Sequence, residues 1–191
     1  ASLTAFGNTV PTSFLRLVPH QEAPTAICWG DRNRSVLVRV PLGWQNIDDS
    51  MFRDANPNEP PIAGLPNDSQ TIELRSPDGS AAIHLLLAGI VVAARIGLTR
   101  PGMADYASKR KVDGDASQTP GLDQLPSSCF EAAGRLLTQR EDYEEGGVFP
   151  AGLIDSWAAR LVELGDMHLR DDLADSRVSV EELVERYFYI G

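Results

Sequence analysis

Six charged side chains near the start of the chain have the chemistry to bind anions, accept protons or hold cations: Arg16, Glu22, Arg34, Arg39, Glu73 and Arg75. Arginine carries a planar, permanently charged guanidinium that grips carboxylates and phosphates through paired hydrogen bonds. Four arginines against Glu22 and Asp31 give residues 1–40 a net charge of +2, within a chain of net charge −10. This local inversion predicts an anionic ligand, although a GC-rich genome also enriches arginine.

The bulk composition is that of a soluble globular protein, with 42% hydrophobic and 23% charged residues. A length of 191 residues is enough to bury one sizeable core, so we expect one domain. The net charge of −10 disfavours binding to nucleic acid or to an anionic membrane. Small molecules and other protein subunits are therefore the expected partners.

Cysteine usage and apolar runs predict a cytoplasmic protein without a membrane span. Cys28 and Cys129 lie far apart in sequence, with no CxxC motif and no histidine at ligand spacing, which favours neither a disulfide framework nor a zinc site. The longest apolar run, Ala81–Ala94, is shorter than the roughly 18 residues that a span requires. The chain begins at Ala1 without a leader, and we expect an upstream part of a larger polypeptide to be missing.

Two segments show the alternation of side chains that is typical of strands. Over Ser35–Val40, three valines share one face and Arg39 lies on the other. Over Thr71–Arg75, Glu73 and Arg75 share the polar face. The pattern predicts an α+β fold, in which an antiparallel sheet has its apolar face covered by helices and its polar face lining a cleft.

Helical patterns dominate the later part of the chain. Ala81–Ile96 is apolar around its whole circumference, which predicts a buried core helix ended by Gly97. Two Ser-x-x-Glu capping boxes and one apolar stripe mark further helices: Ser128 with Glu131, Ser179 with Glu182, and Leu153, Trp157, Leu161 and Leu164 before Gly165. We therefore divide the chain into residues 1–97 with the strands, loops and core helix, a loop at 98–127, and a helical C-terminal region at 128–191.

Five short motifs follow one another in a fixed order: RLVP at 16–19, EAP at 22–24, NRS at 33–35, RVP at 39–41 and ELRSPD at 73–78. Their types and order closely resemble the glutamine synthetase family. A later match, GGVF at 146–149, is similar to the C-terminal helical region of that family. The resemblance implies that the chain is the C-terminal part of a glutamine synthetase catalytic domain.

The resemblance also implies a reaction: ATP phosphorylates the γ-carboxylate of glutamate, and ammonia then attacks the γ-glutamyl phosphate. Arg16 and Arg75 match the positions that hold the glutamate carboxylate. Arg34 and Arg39 match the catalytic positions that face the transferring phosphate and the ATP phosphates, where fixed cations stabilise developing charge. The role that the family gives to Glu22 is that of the flap glutamate, which closes the site and takes a proton from ammonium.

The same resemblance assigns Glu73 as one ligand of Mg²⁺ or Mn²⁺, cations that prefer carboxylate oxygens. One carboxylate does not make a metal site, and a simple ion pair with Arg75 is an alternative reading. In the family, the other metal ligands and most of the ATP pocket come from sequence before this chain. We therefore expect the fragment to be inactive alone, and the full-length protein to be a homo-oligomer.

Three departures from the family pattern leave the acceptor open. Thr71 stands where the family usually has an arginine that contacts the nucleotide, and His20-Gln21 replaces a glycine and an aromatic residue before Glu22. The Leu42–Gln70 connection is longer than usual. The changes at His20-Gln21 and in the Leu42–Gln70 connection are compatible with a γ-glutamyl-amine ligase that uses an organic amine. A non-catalytic homologue is the third possibility, against which the retained charged residues argue.

Overall fold

The computed structural model describes residues 1–19, 23–41, 50–60, 71–150 and 152–190. Glu22, the His20-Gln21 departure and most of the Leu42–Gln70 connection lie outside the described residues. The strands within them are β1 (Trp29–Asp31), β2 (Val38–Val40) and β3 (Glu73–Leu74). The helices within them are α1 (Thr4–Gly7), α2 (Pro11–Leu15), α3 (Ser50–Ala55), α4 (Ile83–Thr99), α5 (Met103–Ser108), α6 (Cys129–Thr138), α7 (Arg140–Glu144), α8 (Leu153–Val162), α9 (Leu169–Ala174) and α10 (Val180–Tyr187).

These elements form the predicted α+β arrangement, with a small sheet followed by a helical region. Within the described residues the sheet has the order β1-β2-β3. Strands β2 and β3 pair antiparallel, as predicted, and their register places Arg39 opposite Glu73. Strand β1, which the alternation does not predict, pairs parallel with β2.

The second predicted strand is shorter than its pattern, and this changes the position of Ile72. Alternation over Thr71–Arg75 predicts that Ile72 and Leu74 share a buried face. Leu74 does pack against the main core, but Ile72 is 73% exposed. Because β3 comprises only Glu73 and Leu74, Ile72 precedes the strand, and the strand geometry does not direct its side chain.

The main core lies where α1, α4, α6 and α8 meet. Phe6 of α1 is fully buried at its centre. Its ring stacks on Phe149 at a centroid distance of 5.5 Å and meets the edge of Tyr143 at 5.6 Å. The apolar stripe of α8 contributes as predicted, and the Trp157 indole also donates a hydrogen bond to the Ala5 carbonyl at 2.7 Å. The packing of these aromatic side chains joins the N-terminal residues to the C-terminal helices.

Helix α4 differs from the prediction in its end and in its burial. It continues through Gly97 to Thr99, and Arg100 then takes an extended conformation with ψ of 128°. Arg100 precedes Pro101, and the residue before a proline is disfavoured in the helical region, so the proline and not the glycine sets the end. The expectation of all-round burial is wrong in this chain, because only one face of α4 packs on the core. The opposite face exposes Ile83, Leu87 and Val91.

Both predicted capping boxes begin helices. Ser179 and Glu182 form the complete reciprocal pair at the start of α10. At the start of α6, the Ser128 hydroxyl accepts from the Glu131 amide, whereas the Glu131 carboxylate accepts from Ser127. The side chain of Ser128 therefore caps α6 as predicted, with Ser127 taking the reciprocal position.

A buried carboxylate completes the N-terminus of α6. Asp166 is 5% exposed, and its two oxygens accept hydrogen bonds from the Cys129 amide at 2.7 Å and the Phe130 amide at 3.1 Å. Amides of the first helical turn have no acceptor within the helix. The Asp166 carboxylate, in the loop after α8, supplies that acceptor for two amides of α6. Burial, together with the nearby Asp166 carboxylate, raises the pKa of the Cys129 thiol.

Replacing Asp166 with alanine is expected to lower the free energy of unfolding by roughly 2 kcal/mol, because it leaves buried amides of α6 without an acceptor. Urea denaturation of both proteins measures the difference. The matched control is Glu163→Ala, which removes an exposed carboxylate close by in sequence and is expected to change stability by less than about 0.5 kcal/mol. Equal effects of the two substitutions would show that the Asp166 bonds contribute nothing.

Both cysteines are free and buried. Within the described part of the chain, none of the helices combines the length and the apolar character that crossing a membrane requires.

Candidate functional site

A cleft of about 760 Å³ brings together residues from two distant segments of the sequence. Its lining comes from the end of α2 and the residues that follow it, and from β3 and the turn after it. The lining residues are Leu15, Arg16, Val18, Ala23, Glu73, Leu74, Arg75 and Pro77. Three of the six residues singled out in the sequence, Arg16, Glu73 and Arg75, therefore share one cleft.

Glu73 lies between two arginines. Because β2 and β3 pair antiparallel, Arg39 lies directly opposite it, and the Arg39 Nη2 to Glu73 Oε2 distance is 2.5 Å. On its own strand, Arg75 Nε approaches the other carboxylate oxygen, Oε1, at 3.4 Å. The shared face predicted for Glu73 and Arg75 is thus found. Arg16 lines the same cleft, so among the described residues three arginine charges accompany one carboxylate and leave a net positive charge.

Arg16 is held by the turn that follows β3. Its Nη2 donates to the Ser76 carbonyl at 2.5 Å and to the Pro77 carbonyl at 3.3 Å. The Ser76 carbonyl also accepts from the side-chain amide of Asn8 at 2.7 Å, and Ser76 itself is buried. These bonds link the RLVP motif to the ELRSPD motif about 60 residues later and fix one side of the cleft.

Two arginine nitrogens of this cluster have unused donor capacity. Among the residues that the structure describes, Arg39 Nε and Arg75 Nη1 are buried and have no hydrogen-bond partner. The Arg75 side chain is only 11% exposed. A buried donor without a partner costs about 1–3 kcal/mol, and native folds rarely leave one without a reason. An anion bound beside these guanidinium groups is such a reason.

Arg34 is not among the residues that line the cleft. It is exposed in the loop between β1 and β2. The structure therefore unites Arg16, Arg39, Glu73 and Arg75, but it leaves Arg34 on a separate, neighbouring loop. For Glu22 there is no placement to compare, although Ala23, the next residue of the chain, lines the cleft.

The structure also shows a supporting element that the sequence reasoning missed. Asn33 and Ser35, on either side of Arg34, form side-chain hydrogen bonds to residues 112–116. Residues 98–127 are predicted only as a polar loop, yet they contain α5 and a short 3₁₀ helix at Ala116–Gln118. The one sequence signal is the NRS motif itself, in which an asparagine and a serine flank the arginine.

In its described residues, the cleft has the chemistry of an anion site and lacks that of a complete metal site. Guanidinium groups bind carboxylates and phosphates with defined geometry. No group of three histidine, cysteine, aspartate or glutamate side chains placed to hold a metal ion occurs among the described residues. Glu73 supplies one carboxylate, and two arginines already neutralise it. The described residues alone therefore do not fit a bound divalent cation.

Comparison with known proteins gives a consistent result. A family model described as "Glutamine synthetase, catalytic domain" matches residues 1–169. A glutamine synthetase of Pyrococcus abyssi is 32% identical over 99% of this chain and 39% of its own length. The values for a glutamine synthetase of Thermococcus kodakarensis are the same, and one of Mycobacterium tuberculosis is 30% identical over 82% of the chain and 29% of its own length. The chain thus spans about two fifths or less of these relatives.

Proposed function

The chain belongs to the glutamine synthetase family, and we propose that it supplies the glutamate-binding and phosphate-facing arginines of an ATP-dependent glutamate–ammonia ligase. In that reaction ATP phosphorylates the γ-carboxylate of glutamate, and ammonia then displaces the phosphate to form glutamine. The observation that carries the proposal is that Arg16 and Arg75 line one cleft with Glu73, the carboxylate that Arg39 contacts.

Arg16 and Arg75 bind the glutamate carboxylate. Both line the cleft, and they come from segments that the Ser76 and Pro77 carbonyls tie together. The Arg75 guanidinium is largely buried, so it is shielded from water and attracts a carboxylate more strongly than an exposed arginine would. Its unpaired Nη1 is the donor that a bound carboxylate would engage after a small shift of the side chain.

Arg39 and Arg34 face the phosphate that is transferred. The Arg39 guanidinium is fixed by its bond to Glu73, and it is only 23% exposed. A cation held in place before the reaction stabilises charge on the phosphoryl oxygens without reorganisation during the step. Arg34 is exposed on its loop, and it contributes a second positive charge that attracts the phosphate as it binds.

Glu22 accepts the proton that ammonium must lose before its nitrogen can attack the acyl phosphate. The support for this role is the EAP motif and the position of Ala23 in the cleft lining. A carboxylate beside bound ammonium both attracts the cation and removes its proton. The nitrogen lone pair then forms the amide bond while the phosphate leaves.

ATP and Mg²⁺ or Mn²⁺ require more than this chain. Glu73 contributes one metal ligand, and the remaining ligands and most of the nucleotide pocket belong to the part of the family domain that the chain does not span. The 191 residues alone are therefore inactive as a ligase. In the whole enzyme, further copies of the chain assemble into a homo-oligomer, as in other members of the family.

Arg16→Ala is expected to weaken glutamate binding to the chain about tenfold or more, because it removes a charge-assisted hydrogen bond to the ligand carboxylate. Isothermal titration calorimetry with glutamate measures the affinity. Arg95→Ala is the matched control, since Arg95 pairs with Glu145 and does not line the cleft. Glutamate affinity that is unchanged in Arg16→Ala, or lowered equally in Arg95→Ala, would overturn the assignment.

A further inference from the structure

We propose that Asn33 is a positioning residue for Arg34. It acts by fixing the loop between β1 and β2, residues 32–37 and here called the arginine loop, to residues 110–116, here called the support segment. The inference rests on the proposed function, because that function gives Arg34 its role toward phosphate. It adds a second part of the chain, about 80 residues later in sequence, to the machinery of the site.

The side chain of Asn33 uses its full hydrogen-bonding capacity in two directions. Its Nδ2 donates to the Val112 carbonyl at 3.1 Å and to the Gly114 carbonyl at 2.7 Å. Its Oδ1 accepts from the Ser35 amide at 2.9 Å and from the Ser35 hydroxyl at 2.8 Å. An amide offers two donors and two acceptor positions, so all four are engaged. One half shapes the loop around Arg34, and the other half attaches it to the support segment.

The residues after Arg34 are anchored to the same segment. The Ser35 hydroxyl accepts from the Ala116 amide at 2.9 Å. Val36 is fully buried in a small apolar cluster with Val112 and Ala116. Arg34 is thus bracketed by Asn33 on one side and by Ser35 and Val36 on the other, which restricts its backbone.

The residue before Asn33 is strained. Arg32 has a φ of 54°, in the left-handed region that residues other than glycine seldom occupy. Its amide donates to the Val40 carbonyl at 2.8 Å. Such a conformation persists only where the surrounding bonds hold it, and such strained residues cluster at functional sites. The bonds of Asn33 are among those that hold it here.

The support segment is itself fixed to the sheet. The Trp29 amide donates to the Arg110 carbonyl at 3.0 Å, and the Val112 amide donates to the Trp29 carbonyl at 2.9 Å. A Cβ atom at Gly30 would lie 2.4 Å from the Val112 carbonyl oxygen, so only glycine permits this approach. The Trp29 indole adds a bond to the Ala107 carbonyl at 2.8 Å. The loop is therefore attached to a rigid base.

This arrangement fixes the backbone from which the exposed Arg34 side chain extends. Binding through a residue whose backbone is already ordered loses less entropy than binding through a mobile loop. Removing the Asn33 side-chain amide therefore leaves the charge of Arg34 intact but lets its guanidinium occupy a wider range of positions. The effect of Asn33 on phosphate should depend on the presence of Arg34.

The test is a double-mutant cycle on the full chain, with inorganic phosphate as the probe and NMR titration as the measurement. We expect Arg34→Ala and Asn33→Ala each to weaken phosphate binding three- to tenfold, and the double variant to bind no more weakly than Arg34→Ala alone. Asn33→Asp keeps the bonds to Ser35 but loses the donors to Val112 and Gly114. It also adds a negative charge that repels phosphate, so we expect it to weaken binding at least as much as Asn33→Ala.

Two readouts separate positioning from general destabilisation and from failure of the proposed function. Glutamate affinity should stay within twofold of wild type in Asn33→Ala, because Arg16 and Arg75 are untouched. Arg34-dependent phosphate binding that is unaffected by Asn33→Ala, or losses that add fully in the double variant, would overturn the positioning role alone. Absence of any Arg34-dependent phosphate binding would overturn the proposed function, and the positioning role with it.

Discussion

Phe6→Ala is expected to lower the free energy of unfolding by about 3–5 kcal/mol, the typical effect of removing a fully buried aromatic side chain. The Phe6 ring contacts the rings of Tyr143, Phe149 and Trp157 and also packs close to Gly89 of α4. Its removal leaves a cavity where the N-terminal residues meet the C-terminal helices. Because domains are typically stable by only 5–15 kcal/mol, such a loss is a large fraction of the total.

Guanidinium chloride denaturation followed by tryptophan fluorescence measures this effect. The matched control is Phe130→Ala, the same substitution at a residue of α6 whose side chain is 39% exposed. We expect that control to lower the free energy of unfolding by less than about 1.5 kcal/mol, because the partly exposed Phe130 buries less apolar area than Phe6 does. A Phe6→Ala protein as stable as Phe130→Ala would show that the aromatic cluster does not hold the two parts of the chain together.

Arg34→Ala is expected to lower the ligase rate about 1,000-fold, because an arginine that contacts a phosphoryl group in transfer typically contributes at least that factor. The measurement requires a joined polypeptide, in which this chain replaces the matching two fifths of the Pyrococcus abyssi relative. ADP release with glutamate, ATP, Mg²⁺ and ammonia gives the rate. The loss should appear in kcat, since the interaction strengthens as charge develops on the phosphoryl oxygens.

Arg95→Ala in the same joined polypeptide is the control, because it removes one arginine charge that pairs with Glu145 and does not line the cleft. Arg34→Lys adds a second comparison, since lysine keeps the charge but loses the planar fork. We expect a partial loss in Arg34→Lys and a rate near that of wild type in Arg95→Ala. An Arg34→Ala rate within tenfold of the unsubstituted protein would exclude Arg34 from phosphoryl transfer.

Alternation and capping predict the parts of the fold that depend on local geometry. The shared face of Glu73 and Arg75 follows from the strand period of two residues. The start of α10 follows from its Ser-x-x-Glu spacing. In each case, residues close in sequence make the interactions, so the sequence pattern contains the necessary information.

Other features of the fold depend on contacts that local patterns do not contain. Strand β1, with the sequence Trp-Gly-Asp, shows no alternation, and its parallel pairing with β2 comes from backbone groups. The apolar residues around α4 predict that all its faces are buried. Which faces are covered depends on the neighbouring elements, which the helix sequence does not specify. In this chain the face that includes Leu87 and Val91 is exposed.

The candidate site divides in the same way. The types and order of its charged residues indicate Arg16, Arg39, Glu73 and Arg75, and the structure brings these four together. The bond from Arg16 to the Ser76 carbonyl joins backbone to side chain across 60 residues, which residue types do not reveal. The support of the arginine loop by residues 110–116 is hidden for the same reason, because most of its acceptors are backbone carbonyls.

The most direct test of the whole account is ADP release in the presence of glutamate, ATP, Mg²⁺ and ammonia. It compares the chain alone, the joined polypeptide, and the joined polypeptide with Glu22→Ala, and it adds a panel of organic amines. We expect no release by the chain alone, ammonia-dependent release by the joined polypeptide, and a large loss with Glu22→Ala. Release with organic amines only would identify a γ-glutamyl-amine ligase. No release by a folded joined polypeptide with any acceptor would show that the chain does not contribute to a ligase site.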